Sequence, residues 1–155
     1  MRKMKAFSFT RKKFGCTCYL AAELRLEVTL PGRARGIVMK EVFILDTGSG
    51  LTLLRGSVLA ANGIRYDDLV RPKDGATIGG YAWKSKPYML NVYFPDVGLP
   101  DFAVFVDPCR DAQEPEFSLL GWNFIDNFCF NFSPDLQKVM FKPWNQGLFG
   151  ENRMT

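Results

Sequence analysis

Phe43-Ile44-Leu45-Asp46-Thr47-Gly48-Ser49 places a carboxylate where an apolar run gives way to a turn. Val42, Phe43, Ile44 and Leu45 have no polar neighbour among them, as expected for a strand end buried on both faces. Asp, Gly and Ser then favour a turn, because short polar side chains bond to nearby backbone and glycine relaxes the steric limits. An acid at that junction is either an ordinary turn residue or a reactive group presented by a rigid strand. Upstream, Ile37 to Leu45 reads as one strand. Leu24, Leu26, Val28 and Leu30 alternate with Arg25, Glu27 and Thr29, the period of a half-buried strand, and Pro31-Gly32 turns the chain between the two.

The same pattern continues downstream. Gly56 to Asn62 predicts a short helix that Gly63 stops. Thr77 to Phe94 predicts a strand, a turn at Gly79-Gly80 and a second strand, since primed hairpin turns need positive φ. Pro95 to Pro100 is a further turn, Phe102 to Val106 a short buried strand, and Asp107 to Glu116 a surface loop. Phe117 to Leu120 is apolar, and Gly121 to Asn127 predicts one or two helical turns. Ser133-Pro134-Asp135 separates Phe128–Phe132 from Lys138–Phe141, a closing hairpin. Short strands at regular spacing with one or two short helices predict an all-β fold, a small closed barrel or a sandwich. At 155 residues, with no repeat and no low-complexity linker, one domain is expected.

Charge divides that chain unevenly. Of the net +4, six positive charges fall on Arg2, Lys3, Lys5, Arg11, Lys12 and Lys13, before the first acid at Glu23. The remaining 14 basic and 16 acidic residues leave a body of about −2. Residues 1–20 therefore read as a basic, solvated N-terminal extension, residues 21–144 as the domain, and residues 145–155 as a tail. A basic arm can also meet anionic lipid or nucleic acid. No basic and aromatic face is evident in the strands, so no nucleic-acid partner is expected. The arm lacks the apolar core of a secretion signal, and no apolar run approaches the roughly 20 residues of a membrane span. A cytoplasmic protein without a membrane span is the expectation.

The absence of histidine excludes Ser-His-Asp and Cys-His catalysis and every His-ligated metal site. Cys16 and Cys18 are separated by the single residue Thr17, Cys109 and Cys129 stand alone, and none has zinc-site spacing. Cys129, between Phe128 and Phe130, reads as a small core residue. Asp107, Asp111, Glu114 and Glu116 lack the regular spacing of a calcium loop, and no phosphate-cradling glycine loop with lysine occurs. No metal and no cofactor are expected. Any chemistry falls to carboxylates, cysteines, lysines or hydroxyls.

Asp46-Thr47-Gly48-Ser49 resembles the active-site motif of the aspartic proteases, and a short chain with one copy of it resembles the retroviral-type, retropepsin-like family. Ser118-Leu119-Leu120-Gly121-Trp122-Asn123-Phe124-Ile125 is similar to that family's hydrophobic-hydrophobic-Gly segment, in which Leu119, Leu120 and Gly121 would pack across the catalytic loop ahead of a short helix. Gly79, Gly80 and Tyr81 stand between the two motifs, where the family's flap belongs. The resemblance spans roughly residues 24 to 141 and implies the family's small closed β-barrel. Three features depart from it. Gly50 follows the tetrad, the Pro95–Pro100 turn and Asp107–Glu116 loop resemble the longer cellular members, and Lys138–Phe141 fits a dimer-forming terminus loosely.

Peptide hydrolysis without metal or nucleophile needs one group to take a proton from water and another to protonate the carbonyl. Two adjacent carboxylates do so, because like charges a few ångström apart share one proton. One Asp-Thr-Gly per chain then implies a homodimer with Asp46 from each copy on a twofold axis. The resemblance implies that Thr47 braces the paired loops across that axis. Gly48 permits close approach and offers its amide, and Ser49 is expected to donate to the outer carboxylate oxygen, favouring the ionised form. A peptide or protein substrate with apolar residues near the scissile bond is the expectation. Tyr81 and Trp83 read either as packing or as subsite lining. Competing readings are an inactive dimerisation or peptide-binding module, and a β-barrel that uses its basic arm on nucleic acid.

Overall fold

Alternation along Thr17–Val28 (β2) buries Leu24, Leu26 and Val28 and turns Glu23 and Arg25 to solvent, so one face of this strand forms the core. The computed structural model describes residues 4–65, 68–69, 88–107, 117–133 and 138–143. Ile37–Leu45 (β3) runs antiparallel to β2, from Val28 opposite Ile37 to Ala21 opposite Ile44. Gly32, at φ 76°, takes the left-handed turn position between them that a side chain would resist. Leu53–Arg55 (β4) leads into Gly56–Ala61 (α1), and Tyr88–Phe94 (β5) pairs antiparallel with Leu99–Asp107 (β6). Ser118–Leu120 (β7), Trp122–Ile125 (α2), Phe128–Ser133 (β8) and Lys138–Pro143 (β9) complete the chain.

Pairings run β3-β7-β4-β6-β5-β2 and return to β3 through the long β2–β3 ladder. The all-β expectation with two short helices holds. The circuit is a thin-walled version of the expected closed barrel. Strands β4 and β7 are three residues long and share one register pair, Leu53 with Leu119, while β2 and β5 share two. Two joints are parallel, β3–β7 and β4–β6, and they carry the chain back past the end of β3.

The N-terminal segment differs from expectation. Phe7–Phe14 (β1) pairs with β2 on one side and β9 on the other, Phe7 opposite Phe141 and Phe14 opposite Thr17. The 20/21 boundary expected from charge therefore falls inside β2. Phe9 is fully buried, and Arg11, Lys12 and Lys13 are exposed towards the hairpin at Gly15. Phe7 and Phe9, two residues apart, carry the strand signal that the charges mask. Outside the circuit, the sheet continues through β1 to β9 and β8.

Phenylalanines join the two parts. Phe124 of α2 meets Phe7, Phe94, Phe102 and Phe128 with ring centroids 5.2–5.6 Å apart. Phe94 meets Phe43 of β3 at 5.8 Å, and Phe7 stacks on Phe141 of β9 at 5.2 Å. Such pairs add about 0.5–1.5 kcal/mol each beyond area burial. They seat α2 on the core that also holds β3. Cys129 is half-buried on β8 rather than a core residue, because alternation gives Phe128 and not its neighbour the inner face. Among the described residues no helix is long and apolar enough to cross a membrane.

Candidate active site

Strand β3 ends by handing Asp46 to a loop held by β7 and α2. Beyond the parallel pairs Phe43–Ser118, Ile44–Leu119 and Leu45–Leu120, the Asp46 amide donates to the Leu120 carbonyl at 3.0 Å. The Asp46 backbone is thereby tied to the Leu-Leu-Gly segment, and its side chain is half-buried. Its carboxylate Oδ1 accepts the Gly48 amide at 2.9 Å, and its carbonyl accepts the Ser49 amide at 3.3 Å. A hydrogen bond from a backbone amide to a carboxylate is charge-assisted and favours one orientation of the acid.

Ser49 is placed differently from expectation. It is fully buried, and its hydroxyl donates to the Leu51 carbonyl at 2.7 Å while accepting the Leu51 amide at 3.3 Å. A hydroxyl has one proton, so the expected donation to Asp46 is replaced by bracing of the loop. Thr47 and Gly48 are exposed at the loop's tip.

Gly121 lets α2 close on this loop. Its backbone, at φ −96° and ψ −172°, is open to any residue, so the requirement is space. A Cβ there would lie 2.3 Å from the Leu51 carbonyl oxygen and 2.7 Å from that of Ser49. The close approach allows the Trp122 amide to donate to the Ser49 carbonyl (2.9 Å) and the Asn123 amide to the Gly50 carbonyl (3.0 Å). The Trp122 indole Nε1 donates to the Thr47 carbonyl at 2.7 Å. Leu120 is fully buried and Leu119 half-buried, so this motif anchors the loop from the core side.

Two polar groups below the loop escape a reading of motifs. Thr52, fully buried, accepts the Gly121 amide at 3.2 Å and donates to Asn123 Oδ1 at 2.8 Å. Glu41, 5% exposed, receives Arg55 Nε at 2.9 Å and Nη2 at 3.0 Å, the Ser118 hydroxyl at 2.9 Å and the Val42 amide at 2.7 Å. The Arg55 amide in turn donates to Ser118 Oγ at 3.0 Å. A bidentate ion pair thus ties β3, β4 and β7 together. Its signal was present, since Met39, Glu41 and Phe43 share one face of β3 and that face is buried.

Gly79, Gly80, Tyr81 and Trp83 lie outside the described residues, as do Cys109, Asp111, Glu114 and Glu116. Among the described residues, the site brings together Asp46, Thr47, Gly48 and Ser49 with Leu119, Leu120 and Gly121. One carboxylate held this way can accept or deliver a proton. Protonating a carbonyl while a water is deprotonated requires a second acid.

No family model matches the sequence, and no curated protein matches it. Solved structures do match. The fold is similar to that of a retropepsin-like aspartic protease from Rickettsia conorii, with a TM-score of 0.55 and 16% identity over 90% of this chain and 91% of that one. An aspartic proteinase from Irpex lacteus matches at a TM-score of 0.45 and 11% identity, over 90% of this chain and 47% of that one. The chain has the retropepsin-like all-β fold.

Proposed function

We propose that this chain is one half of an aspartic endopeptidase, active as a homodimer with an Asp46 from each copy. The observation that carries the proposal is the placement of Asp46. It stands half-buried at the end of β3, its carboxylate turned by the Gly48 amide, in a loop tied down by the Leu-Leu-Gly segment. The retropepsin-like fold supports the same reading.

Two such carboxylates across a twofold axis share one proton and titrate as a pair. The ionised member takes a proton from a water held between them, and the water oxygen adds to the scissile carbonyl carbon. The protonated member gives its proton to the carbonyl oxygen, leaving a neutral tetrahedral diol. The member that took the water's proton then gives it to the amide nitrogen, while the other member takes a proton from a diol hydroxyl. The C–N bond breaks, amine and carboxylic acid leave, and the pair keeps its single proton. Thr47, at the exposed tip, braces one loop against the other. The substrate is a peptide whose apolar residues flank the scissile bond.

Incubation of the wild type and Asp46→Asn with a mixed peptide library from pH 3 to pH 7, read by mass spectrometry, tests this. Cleavage strongest at acidic pH and abolished in Asp46→Asn is the expected outcome. Absence of cleavage by a dimeric wild type at every pH refutes the proposal. Asp46→Asn conserves volume at a half-buried position, so its melting temperature should stay within a few degrees of the wild type.

A further inference from the structure

Trp122, on the helix that closes on the Asp46 loop, is an exposed large apolar side chain, at 38% exposure. Its polar edge is already committed, since the indole N–H donates to the Thr47 carbonyl at 2.7 Å. Thr47 is exposed, and without the indole its carbonyl would turn to water. The Trp122 amide holds the Ser49 carbonyl at 2.9 Å, so this one residue grips the loop on both sides of Gly48. Behind it, Phe124 locks α2 into the phenylalanine core, with ring centroids 5.2–5.6 Å from Phe7, Phe94, Phe102 and Phe128. The indole is therefore a clamp mounted on a rigid base, with an apolar surface partly bare.

We infer that Trp122 is a positioning residue with two tasks: its indole N–H fixes the catalytic loop through the Thr47 carbonyl, and its exposed ring surface is covered by a second copy of this chain. The inference rests on the homodimer proposed above. Thr47 adjoins Asp46, so two copies that bring their Asp46 carboxylates into contact also bring each other's Thr47 tips together. Trp122 is bonded to that tip and enters the same contact. An aromatic ring with its polar edge satisfied gains most from losing its remaining water, which is why Trp recurs at interface centres.

The test uses the full chain carrying Trp83→Phe and Trp144→Phe, which leaves Trp122 as the sole tryptophan. Emission is followed against protein concentration alongside sedimentation. A blue shift that tracks dimer formation is expected. Emission unchanged across the transition overturns the covering role, whether or not the dimer cleaves peptides. A chain that stays monomeric at every concentration overturns both this inference and the dimeric enzyme. Trp122→Phe, in the wild-type background, keeps a ring but removes the N–H. It should lower kcat about fivefold, the equivalent of one ordinary hydrogen bond, with KM little changed and the circular dichroism spectrum retained. An unaltered kcat overturns the positioning role. Trp122→Ala should weaken dimerisation by about 30-fold, as truncation of a central aromatic anchor does. A dimer that dissociates as in the wild type overturns the covering role. Loss of all cleavage by the wild type, with the blue shift retained, refutes the protease and leaves the interface standing.

Discussion

Adding one methyl group at Gly121 tests how the Asp46 loop is held. In Gly121→Ala the new Cβ would lie 2.3 Å from the Leu51 carbonyl oxygen and 2.7 Å from both the Leu51 carbonyl carbon and the Ser49 oxygen, where 3.4 Å is ordinary contact. These are backbone atoms, so no side chain can swing aside. Relief requires the loop and α2 to part by about 1 Å, on the scale where overpacking costs about 1–3 kcal/mol. That movement stretches three hydrogen bonds, from the amides of Gly121, Trp122 and Asn123, each contributing about 1 kcal/mol. A loss of about 3 kcal/mol is expected, against a total stability of about 5–15 kcal/mol. For a chain of this size that lowers Tm by about 6–12 °C. Thermal unfolding followed by circular dichroism, at one fixed protein concentration because association of any kind makes Tm depend on it, reads the effect. Gly50→Ala is the control, because its Cβ meets nothing within 4 Å. A Gly121→Ala protein melting within about 2 °C of the wild type would refute the close-approach account.

Phe9→Ala should lower stability by about 3–5 kcal/mol in chemical denaturation, the cost of a cavity at a fully buried ring. A change under 1 kcal/mol would return β1 to the status of a dispensable arm. Arg55→Met leaves Glu41, 5% exposed, without its bidentate partner. A loss of about 3 kcal/mol is expected from the usual cost of stranding a buried charge, reduced because Arg55 is itself 29% exposed. Denaturant midpoints matching the wild type would show the pair to be idle. Asp96 supplies the pH dependence. Burial pushes its carboxyl up, but hydrogen bonds from the Arg25 side chain and amide, with the charges of Arg25 and Lys5, outweigh this and hold it below its ordinary value. A folded value below the unfolded one of about 4 means stability that is complete above pH 4 and lost as pH falls through the folded value. The Tm difference between wild type and Asp96→Asn should therefore be largest above pH 5 and vanish towards pH 2; a constant difference would contradict it.

Local patterns carried much of this protein. Alternation placed Leu24, Leu26 and Val28 inwards, and the apolar end of β3 with its Asp-Thr-Gly-Ser turn marked the loop that the structure ties to Leu-Leu-Gly. These are properties of neighbouring residues, which strand period and turn chemistry express directly. The N-terminal strand is less legible, because the charges of Arg11, Lys12 and Lys13 mask the Phe7–Phe9 period. Long basic side chains are tolerated on a strand whose other positions reach the core, so Lys12 and Lys13 did not forbid a strand.

Ser49 shows the other limit. The residue beside a carboxylate has several acceptors within reach, and only the path of the loop decides that its proton goes to Leu51. The same holds for Thr52 with Asn123, and for Glu41 with Arg55 and Ser118, partners 14 to 77 positions apart. What the sequence determined by itself was periodic and local: an all-β chain, the loop that presents Asp46, and chemistry without histidine. Tertiary structure alone decided which buried polar groups meet, because the hydrogen bonds of Glu41, Thr52 and Trp122 join strands and helix that approach one another only when the sheet is assembled.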